Sequence, residues 1–213
     1  MVALIDYDAG NLYSAEKALR ALGCDPEVTS DPDIIIRADK VIVPGQGDFL
    51  DCMQNLERFG LIPVLKEVAA RGTPYLGICV GHQLLFESSE EGMEKNGGKP
   101  VPGLGILKGK ILRIPDFPGQ KIPHMGWNSL SIRPGSRLLR GIPDGSYAYF
   151  VHSYYAEAED RDDVAATTEY GVRIDAIAER GNVFGTQFHP EKSSATGLKI
   201  LKNFLELLGA AER

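Results

Sequence analysis

Residues 74–86, PYLGICVGHQLLF, constrain the fold more tightly than any other stretch of the chain. A strand-like apolar run, Pro74 to Cys79, meets a helix beginning near Gln83, and the junction reads Gly77-Ile78-Cys79-Val80-Gly81. G-x-C-x-G between a strand and a helix is the cysteine form of a nucleophile elbow. So sharp a turn wants neighbours without Cβ atoms, and it lifts the nucleophile above the sheet edge, where a carbonyl can reach it. At a helix N-terminus Cys79 would meet a dipole that favours the thiolate. The backbone N–H of Val80 would face the oxyanion formed on attack. A free cysteine packed into a core is the alternative reading of the same pentapeptide.

The surroundings extend the elbow into an α/β fold. Val2 to Tyr7 reads as a buried strand, and Leu12 to Leu22 as a helix stopped at Gly23. Lys40 to Val43 is another strand-like run. Phe49 to Arg71 reads as one or two helices with interruptions at Gly60 and Pro63. Strand and helix thus alternate over the first ~90 residues, the pattern of a parallel sheet. The later half carries short β-like runs at Gly105–Ile114, Tyr147–Tyr155, Val164–Thr168, Val172–Ala178 and Val183–Phe188, which predict an added antiparallel portion. Leu198, Leu201, Phe204, Leu205 and Leu208 predict an amphipathic closing helix capped by Ser193 or Ser194. The expectation is a mixed, mostly parallel central sheet flanked by helices, in a single domain over residues 1–213.

Composition excludes several other classes. A net charge of -6 argues against a nucleic-acid binder. The three cysteines form no C-x-x-C pair and the four histidines no H-x-x-x-H pair, so neither a zinc site nor a disulfide framework is expected. The opening MVALIDYDAGN lacks the features of a signal peptide. No run approaches the ~18 apolar residues of a membrane span. A cytosolic protein is expected.

A nucleophilic cysteine needs a base. Phe188-His189-Pro190-Glu191 ends the last β-like run, and proline keeps the preceding His189 extended. Residues two apart on an extended segment share a side, so Glu191 could fix the imidazole tautomer while His189 takes the thiol proton. A Pro-Glu helix cap with a surface His189 is the alternative. His82 lies in the elbow helix, where it would line the pocket; His124 and His152 sit in surroundings that suit structural or substrate-positioning roles. Pro44-Gly45-Gln46-Gly47 follows a strand, and ligands bind beyond the carboxyl ends of parallel strands, so this turn could aim a second N–H into the site. A plain strand-to-helix turn is the other reading. Gly103-Leu104-Gly105 opens no helix and is not a dinucleotide-binding turn. Cys24 and Cys52 read as packing residues.

PYLGICVGHQLLF and FGTQFHPEKS (residues 184–193), in that order and about 110 residues apart at Cys79 and His189, resemble the nucleophile and His/Glu segments of the class I, triad-type glutamine amidotransferases. The resemblance covers nearly the whole chain. DYDAGNLYS (6–14), IPHMGWN (122–128) and YFVHSYY (149–155) resemble one branch of it, in which a stand-alone glutaminase subunit serves a cyclase in histidine biosynthesis.

The resemblance implies a catalytic triad of Cys79, His189 and Glu191 that hydrolyses L-glutamine to glutamate and ammonia through a cysteinyl thioester, with no metal or organic cofactor. It implies that Gln83, with backbone around His152, Ser153 and Tyr154, holds the substrate. Gln46 and Gly47 would join Val80 in stabilising the oxyanion. Asn11, Trp127 and Lys192 would lie at the interface with a (β/α)8-barrel cyclase subunit, in a one-to-one pair. Ammonia would pass through that barrel to a phosphoribulosyl-formimino carboxamide ribotide, giving imidazole glycerol phosphate and an aminoimidazole carboxamide ribotide. The chain departs from the family pattern at Asp8, in place of the usual glycine, and at His82, in place of methionine. Gln46 and Asp48 stand in a turn that is commonly more apolar. These departures bear on substrate affinity and on the resting state of the oxyanion turn.

Overall fold

A computed structural model describes residues 1–10 and 12–209. The alternating half comprises β1 (Val2–Ile5), α1 (Leu12–Ala21), β2 (Glu27–Thr29), α2 (Pro32–Ile36), β3 (Lys40–Gly45), α3 (Phe49–Arg58), α4 (Leu61–Ala70), β4 (Tyr75–Cys79) and α5 (Val80–Gln83). Then follow β5 (Ser88–Ser89), β6 (Val101–Pro102), β7 (Gly109–Arg113), β8 (His124–Ser129), β9 (Ser131–Ile132), β10 (Tyr147–His152) and β11 (Tyr154–Ala158). β12 (Val164–Tyr170), β13 (Val172–Arg180), β14 (Val183–Thr186) and α6 (Ser194–Leu205) complete the chain.

Eight strands form the central sheet in the order β2-β1-β3-β4-β14-β13-β12-β9. The first five pair in parallel, and β13, β12 and β9 extend the sheet antiparallel. β4 is buried along its whole length and β3 at every residue but Lys40, as strands covered on both faces must be. α1 supplies Ala15, Ala18 and Leu19 to the core, α3 supplies Phe49, Cys52, Met53 and Leu56, and α6 supplies Ile200, Leu201 and Phe204. Two smaller sheets flank this one, β10-β8 and β11-β7-β5-β6.

The mixed sheet matches the expectation from sequence, and several local features correct it. Phe59 and Gly60 separate α3 from α4, Gly60 in a left-handed conformation (φ 67°), while Pro63 lies inside the first turn of α4, where a missing N–H costs nothing. The elbow helix is one turn, α5, and stops at Gln83; so short a helix carries little of the dipole invoked for Cys79. The run Tyr147–Tyr155 divides at Ser153 between two sheets. In the closing helix Leu198 is more than a third exposed and Leu208 lies beyond the end, half exposed. Ser193 makes no side-chain cap. Its hydroxyl instead donates to the His189 carbonyl (2.7 Å) and accepts from the Tyr149 N–H (2.9 Å).

Candidate active site

Three parallel strands end at one place. β3 runs out at Gly45, β4 at Cys79, and β14 leads through Gln187 to His189. Beyond these carboxyl ends lies a cavity of about 250 Å³ lined by Gln46, Gly47, Cys79, Val80, Gln83, Glu91, Val151, His152, Ser153, Tyr154 and His189. The structure thus brings the sequence-derived nucleophile, base, turn and substrate residues together around one pocket.

The elbow is built by interlocking glycines. A Cβ on Gly81 would stand 1.9 Å from the Val43 carbonyl oxygen, and one on Gly77 would stand 2.3 Å from the Gly81 oxygen. One on Gly45 would meet the Gly81 nitrogen at 2.6 Å. The backbones of β3, β4 and α5 therefore touch, which leaves Cys79 at φ 55°, ψ −110° and turned over the sheet edge. Such strain in a non-glycine residue persists only where its surroundings dictate it. The Val80 N–H, at the first position of α5, has no intrahelical acceptor, and Val80 is among the residues lining the cavity.

His189 is extended (φ −93°, ψ 101°). The following Pro190–Lys192 segment is a 3₁₀ turn, so Glu191 reaches the imidazole by tight turning and not by the strand alternation expected from sequence. Glu191 Oε1 lies 2.8 Å from His189 Nδ1. A carboxylate accepts there, so Nδ1 carries the proton and Nε2 is left for Cys79. Burial lowers the His189 pKa, but hydrogen bonds and charge from Cys79 and Glu191 outweigh it and push the imidazole up to about 9. The imidazolium is the form that can protonate a departing amine. Turnover is therefore expected to fall as pH rises through about 9 and His189 loses its proton. A kcat/KM profile for glutamine, the substrate that the resemblance implies, checks this, and activity still rising at pH 10 would be the contrary result.

The turn after β3 is pinned from behind. Tyr7 Oη donates to the Pro44 carbonyl (2.7 Å), and the Cys52 thiol donates to the Gln46 carbonyl (3.6 Å). Burial pushes Cys52 up to about 12, so it remains a thiol donor. In a trans peptide the Gly47 N–H points opposite to the Gln46 C=O, and hence away from Cys52, which does not line the cavity. Cys52, which reads from sequence as a packing residue, also orients this turn through its side chain.

On the opposite wall one carbonyl organises the polar groups. Tyr154 O accepts from Gln83 Nε2 (2.9 Å) and from His152 Nδ1 (2.8 Å). The second hydrogen of Gln83 Nε2 goes to Gln187 Oε1 (3.0 Å). Because a carbonyl only accepts, Gln83 must present Nε2 to it, which directs Gln83 Oε1 elsewhere. Sequence reasoning missed Gln187, though it sits in the His/Glu segment. It also missed Glu91, the one carboxylate lining the cavity among the described residues, whose Oε2 accepts from the Phe49 N–H (2.9 Å). Burial pushes Glu91 up to about 7.

His82 does not line the pocket. It is fully buried beneath it, with its ring against Gly185 and edge-on to Phe86. Asp8, at φ 59°, occupies a left-handed position where glycine is the usual choice, and aspartate is among the residues that tolerate it. Its carboxylate pairs with Arg58 (2.5 Å). Asp48 caps α3 through the Leu50 N–H (2.9 Å). Trp127 is half exposed and Lys192 half-buried in the turn after His189; Asn11 lies outside the described residues.

The family described as glutamine amidotransferase class-I matches residues 3–208. The chain belongs to the class I glutamine amidotransferases. Among curated relatives of this amidotransferase, imidazole glycerol phosphate synthase subunit HisH of Moorella thermoacetica is 52% identical over 97% of this chain and 95% of its own length. The subunit of the same name from Caldanaerobacter subterraneus is 49% identical over 98% of both. A solved structure described as a glutamine amidotransferase superposes with a TM-score of 0.73 at 19% identity, covering 97% of this chain and 98% of that one, a likeness of fold.

Proposed function

We propose that the chain is the glutaminase subunit of an imidazole glycerol phosphate synthase, folded as one domain and acting in the cytoplasm. The observation that carries the catalytic half is the convergence of Cys79, the His189–Glu191 pair, Gly47 and Val80 on one cavity. Cys79 attacks the side-chain carbonyl of L-glutamine, and the oxyanion is received by Val80 N–H and the Gln46–Gly47 turn. His189 gives its proton to the departing ammonia, and a glutamyl thioester remains. Water then attacks the thioester; His189 takes the water proton and returns it to the Cys79 sulfur as glutamate leaves. Gln83 and the backbone of residues 152–154 hold the substrate, and Glu91 offers a carboxyl group to its α-ammonium.

The partner half rests on the near-full-length relatives and on one face of the β8–β10 ribbon. Met125, Trp127 and Tyr147 are each more than half exposed there, and exposed apolar side chains grouped on one face mark interaction surfaces. The partner is a (β/α)8-barrel cyclase subunit, with Asn11, Trp127 and Lys192 at the contact. Ammonia passes to its ribotide substrate, giving imidazole glycerol phosphate and an aminoimidazole carboxamide ribotide. Sedimentation of the chain with the cyclase from the same source should give a one-to-one complex. Trp127→Ala should weaken that complex at least about tenfold, as for a buried aromatic anchor. A variant that binds as well as the parent would remove Trp127 from the interface.

A further inference from the structure

The inner face of the β8–β10 ribbon carries a chain of hydrogen bonds whose direction is fully determined. His152 Nδ1 faces the Tyr154 carbonyl (2.8 Å), which only accepts, so Nδ1 bears the hydrogen. Burial takes the His152 pKa down to about 3 and the His124 pKa down to about 4, so both rings are neutral. A neutral His152 then offers a lone pair at Nε2, and His124 Nδ1, 3.0 Å away, must be the donor. His124 Nε2 is left as an acceptor facing Asn128 Nδ2 (3.4 Å). Asn128 cannot be flipped: its Oδ1 accepts from the Ser129 N–H (2.8 Å) and its Nδ2 donates to the Glu169 carbonyl (2.9 Å). The His124 ring is clamped in orientation, stacked on Tyr170 (4.0 Å between centroids) and on Phe150 (4.9 Å).

We infer that His124, which does not line the cavity, is a positioning residue for the substrate. Its Nδ1–H holds His152 in the Nδ1–H tautomer, and His152 with Gln83 then fills both lone pairs of the Tyr154 carbonyl. That carbonyl fixes the 152–154 backbone and turns Gln83 Oε1 away from it, leaving an acceptor for an N–H of the substrate. In the other tautomer, two lone pairs would face each other across the 2.8 Å between His152 and Tyr154, and the segment would be pushed out of place. The substrate part of this inference rests on the glutaminase reading; the tautomers do not.

Two measurements test it. Long-range ¹H–¹⁵N correlation of the imidazole rings in the intact chain should show His124 and His152 both as Nδ1–H tautomers; Nε2–H at either ring overturns the inference, whether or not the chain hydrolyses glutamine. His124→Phe keeps the ring stacking and deletes the donor, whereas His124→Asn keeps an N–H near the place of Nδ1. The Phe variant should raise KM for glutamine about tenfold, the equivalent of one hydrogen bond of about 1.4 kcal/mol, with kcat changed by less than about twofold. The Asn variant should recover most of the loss. A KM unchanged in His124→Phe, a loss confined to kcat, or an Asn variant no better than Phe would each contradict the assignment. A parent chain inactive on glutamine even beside the ligand-loaded cyclase would count against the glutaminase reading, and the tautomer result would still decide on the hydrogen-bond chain.

Discussion

Cys79→Ala is expected to lower glutamate release from glutamine by at least about 10⁴-fold, since no other group can form the thioester. Cys24 is only partly buried but belongs to another part of the fold, and Cys52 spends its thiol on the Gln46 carbonyl. Neither can stand in for Cys79. Glu191→Gln should lose roughly a hundredfold less, because the glutamine can still accept from His189 Nδ1 with its carbonyl oxygen. Glu191 lies 2.8 Å from the imidazole, and in the proposed mechanism it orients that ring without bonding to the substrate. The comparison is steady-state turnover of the two variants against the parent, with circular dichroism to show that both are folded. Small and equal losses would remove the triad assignment.

The second large effect concerns stability. Gly81→Ala would place a methyl group 1.9 Å from the Val43 carbonyl oxygen and 2.9 Å from its carbon, both backbone atoms at the centre of the sheet. No side-chain rotation relieves such a contact, so β3 and the elbow must separate. A loss of more than about 4 kcal/mol is expected, at the far end of single-substitution effects. Gly23→Ala is the useful contrast. Gly23 has φ +80° and nothing within 4 Å of the added atom, so its cost is the left-handed backbone alone, about 1 kcal/mol. Urea unfolding of the two variants separates the mechanisms, and a Gly81→Ala protein within about 1 kcal/mol of the parent would show that the strands are not in close contact.

The same glycines explain why this part of the fold was legible. Gly77, Cys79 and Gly81 are spaced by a local requirement, a sharp turn between a buried strand and a helix, and local requirements leave a mark in sequence. β1, β3 and β14 were readable for the same reason, each being a short apolar run with a glycine, asparagine or proline near its end, and α1 was readable from the helical spacing of its apolar residues. β8 was missed because Pro123, Gly126 and Asn128 break any alternation, and its inner face is polar: His124 and Asn128 point in while Met125 and Trp127 are exposed. α2 was missed although Asp31 and Pro32 mark its start, with the Asp31 side chain accepting from the Asp33 N–H. Five residues hold too little periodicity to register.

At the site, residues whose chemistry is intrinsic could be named in advance, and those whose role comes from a contact could not. Cys79 and His189 carry their reactivity with them. Glu91 matters because it folds back against the start of α3, 42 positions away, and Gln187 because Gln83, 104 positions away, meets it in the interior. His82 shows the converse. Its place beside Gln83 suggested the pocket, yet a one-turn helix points neighbouring side chains in different directions, and His82 faces β14.

The most direct test of the central claim is glutamate release from L-glutamine by the purified chain, measured alone and with the proposed cyclase subunit loaded with its ribotide ligand. The account predicts hydrolysis that depends on Cys79 and is strongly stimulated by the loaded cyclase. Hydrolysis indifferent to the cyclase would leave the triad in place and contradict the assignment to imidazole glycerol phosphate synthase.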